Sequence, residues 1–169
     1  MWSSILDMFE EGSSERRVAK RLIERGFTVT EDEGVVSHGV TVPHSSIANS
    51  LEVEERMIDQ TVEMILEDDR LAGLFANLTS KTFFEDAVSV LDISVVTVQV
   101  DDAAESGILA DITSVFDEHG VMIRQMVVED PVLNDVPQFV AIVDGQAPPG
   151  LMLDLNNLTC TEACFYAAG

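Results

Sequence analysis

The sequence predicts an α+β chain in two parts, a mostly helical first part with one short hairpin and a second part of alternating strands and helices. Three observations carry this prediction. Apolar residues recur at helical spacing through most of the first part, and from Ile93 β-branched runs alternate with amphipathic segments in the order β-α-β-β-α-β. The charge changes with the pattern: residues 1–81 hold eight of the nine Lys and Arg, and only Arg124 follows Lys81. The domain boundary is therefore expected between residues 1–81 and 82–169.

In the first part, Trp2, Ile5, Leu6 and Phe9 share one helical face, and Val18, Ala19, Leu22 and Ile23 form the apolar side of a second helix that Gly26 can end. Residues 35–42, "VVSHGVTV", read as a hairpin around His-Gly, with Pro43 at the start of the next helix. Residues 44–69 then carry the spacing of a helix-turn-helix. Ala48 is the small residue where the helices touch, the break comes four residues later, and Ile58 is the aliphatic anchor of the following helix. The turn position is Glu52, so the turn must form without glycine. Val53, Met57, Ile58, Thr61, Val62, Ile65 and Leu66 make the next helix amphipathic. Residues 71–91 are apolar and helix-like, with Thr79, Ser80 and Lys81 as the joint between the two parts.

The exposed residues expected on the helix after Val53 are Glu54, Glu55, Arg56, Asp59, Gln60 and Glu63, a poor match to a phosphate backbone. Five bases, Arg16, Arg17, Lys20, Arg21 and Arg25, lie instead on the polar face of the second helix. Two readings fit them: a solvated face whose cations complement the helix C-terminus and neighbouring acids, or the contact surface for an anionic partner such as DNA.

In the second part, residues 93–100 are a β-branched strand. Ile108, Leu109, Ile112, Val115 and Phe116 share a helical face that Gly120 ends, and residues 121–128 and 139–144 are the next two strands. Leu151, Leu155 and Leu158 mark a short helix, and residues 159–166 close as a fourth strand. This order is that of a ferredoxin-like split fold, one sheet with two helices on one face. Apolar residues of both parities in the first strand, among them Val95, Val96, Val98 and Val100, imply that the other face is also partly buried, against a second subunit or the first part of the chain.

Composition limits the setting. With 31 Asp and Glu against 9 Lys and Arg, the formal net charge is -22, and the acids are spread along the chain rather than gathered in a tail. At molar salt the Debye length is about 3 Å, which makes such self-repulsion tolerable, so a halophile cytoplasm is the expected environment. The first residues show no basic export region, and no run of eighteen apolar residues suggests a membrane span. Cys160 and Cys164 are expected four residues apart in one strand, too far for a disulfide. Scattered His38, His44 and His119 give no metal-ligand spacing, and no cofactor is expected. Without G-x-S-x-G, H-E-x-x-H or a P-loop, an enzyme is not expected.

A strand ending in Asp, a glycine before Ile-Leu, and "HGV" ahead of the second strand resemble the ACT domain over about residues 93–166. Together with "MWSSILDMF", "IANSLEV", "TVEMI", "VDD" and "IRQMVVEDPVL", the chain is similar to the archaeal predicted regulators of amino-acid metabolism, which join a helix-turn-helix-like part to one ACT domain. The resemblance implies sensing of a small ligand, usually an amino acid, at an interface between paired ACT domains, with the glycine loop after the first strand lining the site. In such a site Asp101 and Asp102 can accept from an ammonium group, and the backbone N–H groups of Gly107, Ile108 and Leu109 can donate to a carboxylate. Arg124 is a second candidate for the carboxylate.

The expectation is thus a homo-oligomeric, amino-acid-responsive regulator of transcription. The alternative is a ligand-binding regulatory partner of a metabolic enzyme that uses its helix-turn-helix for protein contact. The charge makes one prediction independent of that choice. The melting temperature should fall as salt is lowered from molar to about 0.1 M, where the Debye length grows to about 10 Å; a flat scanning-calorimetry series would contradict the halophile setting.

Overall fold

Capping chemistry sets the helix boundaries in the computed structural model, which describes residues 2–88, 90–100 and 105–168. The chain divides into two units, Met1–Thr82 and Phe83–Gly169. In the first, a short helix α1 (Trp2–Leu6) precedes α2 (Ser14–Arg25). The Ser13 hydroxyl opens α2 by accepting from the Arg16 N–H at 3.1 Å. Gly26 closes it in the left-handed region, φ 61°, where its N–H and that of Phe27 donate back to Ile23 and Leu22. Phe9 is buried just beyond α1 rather than on it.

The expected hairpin is present as β2 (Gly34–Ser37) and β3 (Val40–Thr41), turned by His38 and Gly39, both at positive φ. A third strand that the sequence did not announce, β1 (Thr28–Thr30), pairs antiparallel with β2 and buries Val29 opposite Val35. Helices α3 (His44–Leu51) and α4 (Glu55–Glu67) follow, with Glu52 left-handed at φ 55°, ψ 46° between them. The turn without glycine therefore forms, at a strain of roughly 1–2 kcal/mol for a side-chain-bearing residue. Ala48 is buried where the helices meet, and Ile58, Thr61, Val62 and Ile65 line the inner face of α4. His44 and Asp59 join the two helices at 2.6 Å.

The helix-like expectation for residues 71–91 is corrected. Helix α5 (Asp69–Phe75), capped by the Asp68 carboxylate, ends at Phe75, and only a single 3-10 turn, Glu85–Ala87, follows before the next strand. Apolar spacing misleads here because the side chains serve different surfaces: Phe75 is buried in the first unit, while Phe83 and Val88 pack on the sheet of the second.

The second unit has the order β4 (Ile93–Val100), α6 (Ile108–Glu118), β5 (Ile123–Val128), β6 (Gln138–Asp144), α7 (Pro149–Asn156), β7 (Thr161–Ala168). Its sheet runs β5-β6-β4-β7 with every pair antiparallel. On one face Val96, Val98, Val100, Phe139, Ala141 and Val143 pack with Ile108, Ile112, Val115, Phe116, Leu151 and Leu155 of the two helices. Leu109 does not join them; it is 46% exposed on the outer side of α6. The opposite face is not bare. Ile93, Val95, Val140 and Ile142 form a second cluster covered by Phe83 and Val88 of the segment that precedes β4. Cys160 stands in the turn before β7, and only Cys164 is in the strand.

Gly26 provides a test of the local packing. A Cβ there would come within 2.6 Å of the Ser80 nitrogen and the Thr79 carbonyl carbon, while Gly12, also at positive φ, has open space around it. Gly26→Ala should cost at least about 2 kcal/mol in urea unfolding at fixed salt, and Gly12→Ala about 1 kcal/mol from backbone strain alone.

Candidate functional site

Two places concentrate chemistry, one in each unit. In the first unit the five bases of α2 divide by what they touch. Arg16 reaches Asp7 at 3.4 Å and the Phe9 carbonyl. Arg17 donates to the Leu51 carbonyl at 2.8 Å, satisfying the C-terminal end of α3 next to the Glu52 turn. Lys20 and Arg21 share Glu24 at 3.8 and 3.7 Å, loose pairs that hold neither side chain firmly. Arg25 has no side-chain partner among the described residues.

Arg21 and Arg25 together line a cleft of about 180 Å³ whose other walls are Phe27, Val42, Ser46, Ile47 and Ser50. No acid lines it. Ser46 and Ser50 stand one turn apart on α3; the Ser50 hydroxyl donates to the Ile47 carbonyl at 2.8 Å, so the two guanidinium groups and the Ser46 hydroxyl are the donor set that faces an oxyanion. By contrast Glu54, Glu55, Arg56, Asp59, Gln60 and Glu63 are all exposed around α4, and Arg56 is occupied by Glu54 at 2.8 Å. The surface that a groove-reading helix would present is acidic.

In the second unit Gly107 is the N-cap of α6, φ 101°, with no side chain closing the helix start and nothing within 4 Å of where a Cβ would stand. Ile108 is buried and Leu109 is exposed. Asp101 and Asp102 lie outside the described residues. The strand register separates the remaining candidate from this group. Gly107 follows the C-terminal end of β4, whereas Arg124 sits beside Ile123, which pairs with Val143, itself paired with Ser94 near the start of β4. Arg124 and Gly107 therefore occupy opposite ends of the sheet within one chain.

At its own end, Arg124 lines a cleft of about 340 Å³ with Phe84, Leu91, Asp92, Ile93 and Asp144. Its Nε donates to Asp144 Oδ1 at 2.7 Å, and its Nη2 stands 2.6 Å from the same oxygen as an ion pair. Sequence reasoning missed Asp92, Asp144, Ser46 and Ser50. The topology already placed Asp144 near Arg124, since β5 and β6 form a hairpin, but nothing local marked Asp92 or the serines. Among the described residues no group of three or more His, Cys, Asp and Glu could hold a metal ion, and no helix is long and apolar enough to cross a membrane.

No family model matches the chain, and no curated protein matches it. Solved structures do. An AsnC-family transcriptional regulator from Agrobacterium tumefaciens is 11% identical, over 90% of this chain and 86% of that one, with a TM-score of 0.31. A transcriptional regulatory protein of the AsnC family from Pyrococcus furiosus is 8% identical, over 94% of this chain and 88% of that one, with a TM-score of 0.29. At these scores neither likeness carries an argument about how this chain is built or what it does.

The cysteines are core groups with one measurable signature. Both pack against the helix-side core, and burial, with a smaller contribution from the nearby Cys160 thiolate, pushes the Cys164 thiol from 9.0 up to about 11. Because the folded value is the higher one, the stabilisation is complete below pH 9.0 and is lost as pH rises through about 11. Iodoacetamide at pH 8 should alkylate Cys164 roughly a hundredfold more slowly than an unstructured cysteine, by peptide mass spectrometry, since two pH units make the thiolate that much rarer.

Proposed function

We propose that the chain is an amino-acid-responsive regulator of transcription, in which the first unit holds DNA and the second holds the ligand. The observation that carries this reading is the acid-free cleft of Arg21, Arg25, Ser46 and Ser50. In a chain with 31 acids and 9 bases, a cleft lined by two guanidinium groups and no acid, with Glu24 only loosely paired to Arg21 at 3.7 Å, suits a phosphate backbone, and phosphate contacts supply most non-specific affinity. Its position on α2 and α3 puts the contact beside the helix-turn-helix rather than on the acidic outer face of α4. At molar salt counterion release adds little, so affinity must come from placed hydrogen bonds, which arginine and serine supply.

The second unit supports the ligand half of the reading through its βαββαβ order and its resemblance to ACT domains. Pairing of two such units would also cover apolar surface left exposed, such as Phe165 and Val127.

DNA binding is tested with a random-sequence duplex pool enriched on the parent protein in molar potassium chloride and read by fluorescence anisotropy. Arg21→Ala with Arg25→Ala should weaken the enriched duplex at least tenfold. Arg17 is left intact because its contact with Leu51 supports the fold. Failure of any duplex to enrich across a range of salt would replace DNA with a protein partner, in line with the acidic face of α4.

A further inference from the structure

The cleft of Arg124 and Asp92 differs from an ordinary surface ion pair in three respects. First, Arg124 is the extra residue of a bulge: Ile123 pairs with Val143 and Gln125 with Ile142, so two steps on β5 oppose one on β6. A bulge re-aims a side chain without disturbing the rest of the ladder. Second, both contacts with Asp144, the Nε hydrogen bond and the Nη2 ion pair, come from one edge and converge on one oxygen, while Nη1 has no partner among the described residues. The guanidinium is oriented but not exhausted. Third, the walls are held in place from outside the cleft. The Phe84 N–H donates to the Gln125 side chain at 3.1 Å, and the Asp92 carbonyl accepts from Gly145 at 3.0 Å, which leaves the Asp92 carboxylate without a partner among the described residues.

The chemistry left unsatisfied has two signs. Arg124 retains donors for a carboxylate. With Asp144 balanced by Arg124, the Asp92 charge is unmatched and favours an ammonium group. Phe84, Leu91 and Ile93 provide apolar walls, and a volume of about 340 Å³ is at the small end of ligand pockets, which run to about 1,000 Å³. A zwitterion with an apolar side chain meets all three requirements. A simple cation would leave the guanidinium edge unused, and a simple anion would be repelled by Asp92.

We infer that this cleft, and not the Gly107 end of the sheet, is the seat of a free α-amino acid with an aliphatic or aromatic side chain. Arg124 takes its carboxylate, Asp92 takes its ammonium group, and Phe84, Leu91 and Ile93 take its side chain. The inference rests on the amino-acid-responsive reading above and names its site. Phe84, Leu91 and Asp92 precede β4 in the chain, so an occupied cleft ties their side chains to β5 through Arg124.

Titration calorimetry of the full chain in molar potassium chloride tests it, with L-leucine, L-isoleucine, L-valine, L-methionine and L-phenylalanine as probes. At least one should bind, and its amide and N-acetyl forms, each lacking one charge, should bind at least tenfold more weakly to the unaltered protein. Arg124→Gln and Asp92→Asn should each weaken the amino acid at least tenfold, with circular dichroism confirming the fold. Leu109→Glu, which places a carboxylate on the first turn of α6, should leave affinity unchanged. If Leu109→Glu abolishes binding while the two cleft variants bind as the parent does, the ligand sits at the Gly107 end; the cleft is then wrong and the amino-acid reading stands. If none of the five probes binds, the cleft assignment is wrong, and the amino-acid reading falls with it only if the remaining standard amino acids also fail to bind.

Discussion

The second unit depends on β4 being buried on both faces and paired on both edges. Six of its eight residues, Ser94 to Gln99, lie between β6 and β7 in register, and its side chains alternate between the helix-side core and the cluster that Phe83 and Val88 cover. A strand committed in this way cannot slip by one residue without exchanging its two apolar faces. Its ends are fixed points, and the chemistry of the unit collects at them: the open start of α6 beyond Val100, and Asp92 with the Arg124–Asp144 pair beside Ile93. The Ser94 hydroxyl, buried on this strand, donates to the Gly145 carbonyl at 2.7 Å and lies 3.1 Å from the Tyr166 hydroxyl, so the buried polar group next to the cleft is itself satisfied.

The first unit shows the complementary problem of keeping cations useful in an acidic chain. Exposed ion pairs contribute little to stability, but they decide which bases remain available. Asp7 occupies Arg16, a backbone carbonyl occupies Arg17, and Glu24 is divided between Lys20 and Arg21. The surplus is at the end of α2, where the helix dipole also favours positive charge, and there the cleft with Ser46 and Ser50 opens.

Long elements with one physical cause were legible in the sequence. β4 was bounded to the residue because a run of eight β-rich residues ends in aspartates, and α2 was legible because its apolar stripe and closing glycine agree. β1 escaped because Thr28–Thr30 is three residues long and is a strand only through its pairing with β2. The later part of residues 71–91 was misread because Phe83, Phe84, Val88 and Leu91 approximate a helical period, whereas tertiary packing sends Phe83 and Val88 to the sheet and leaves Phe84 and Leu91 on the cleft. Arg124 was grouped with Gly107 because it is the only Lys or Arg of the second part and a carboxylate calls for a cation. The β-α-β-β-α-β order already implied otherwise, since a residue at the start of the second strand stands at the far end of the sheet from the loop after the first.

The bulge at Arg124 has an evolutionary consequence. Because this residue is the one that the β5–β6 ladder does not need, removing its codon would bring Ile123 and Gln125 into uninterrupted pairing with Val143 and Ile142 and would move no core side chain to the wrong face. The sole basic residue after Lys81 is thus carried as an insertion, and a lineage could acquire or discard it in a single step while inheriting the rest of the sheet unchanged.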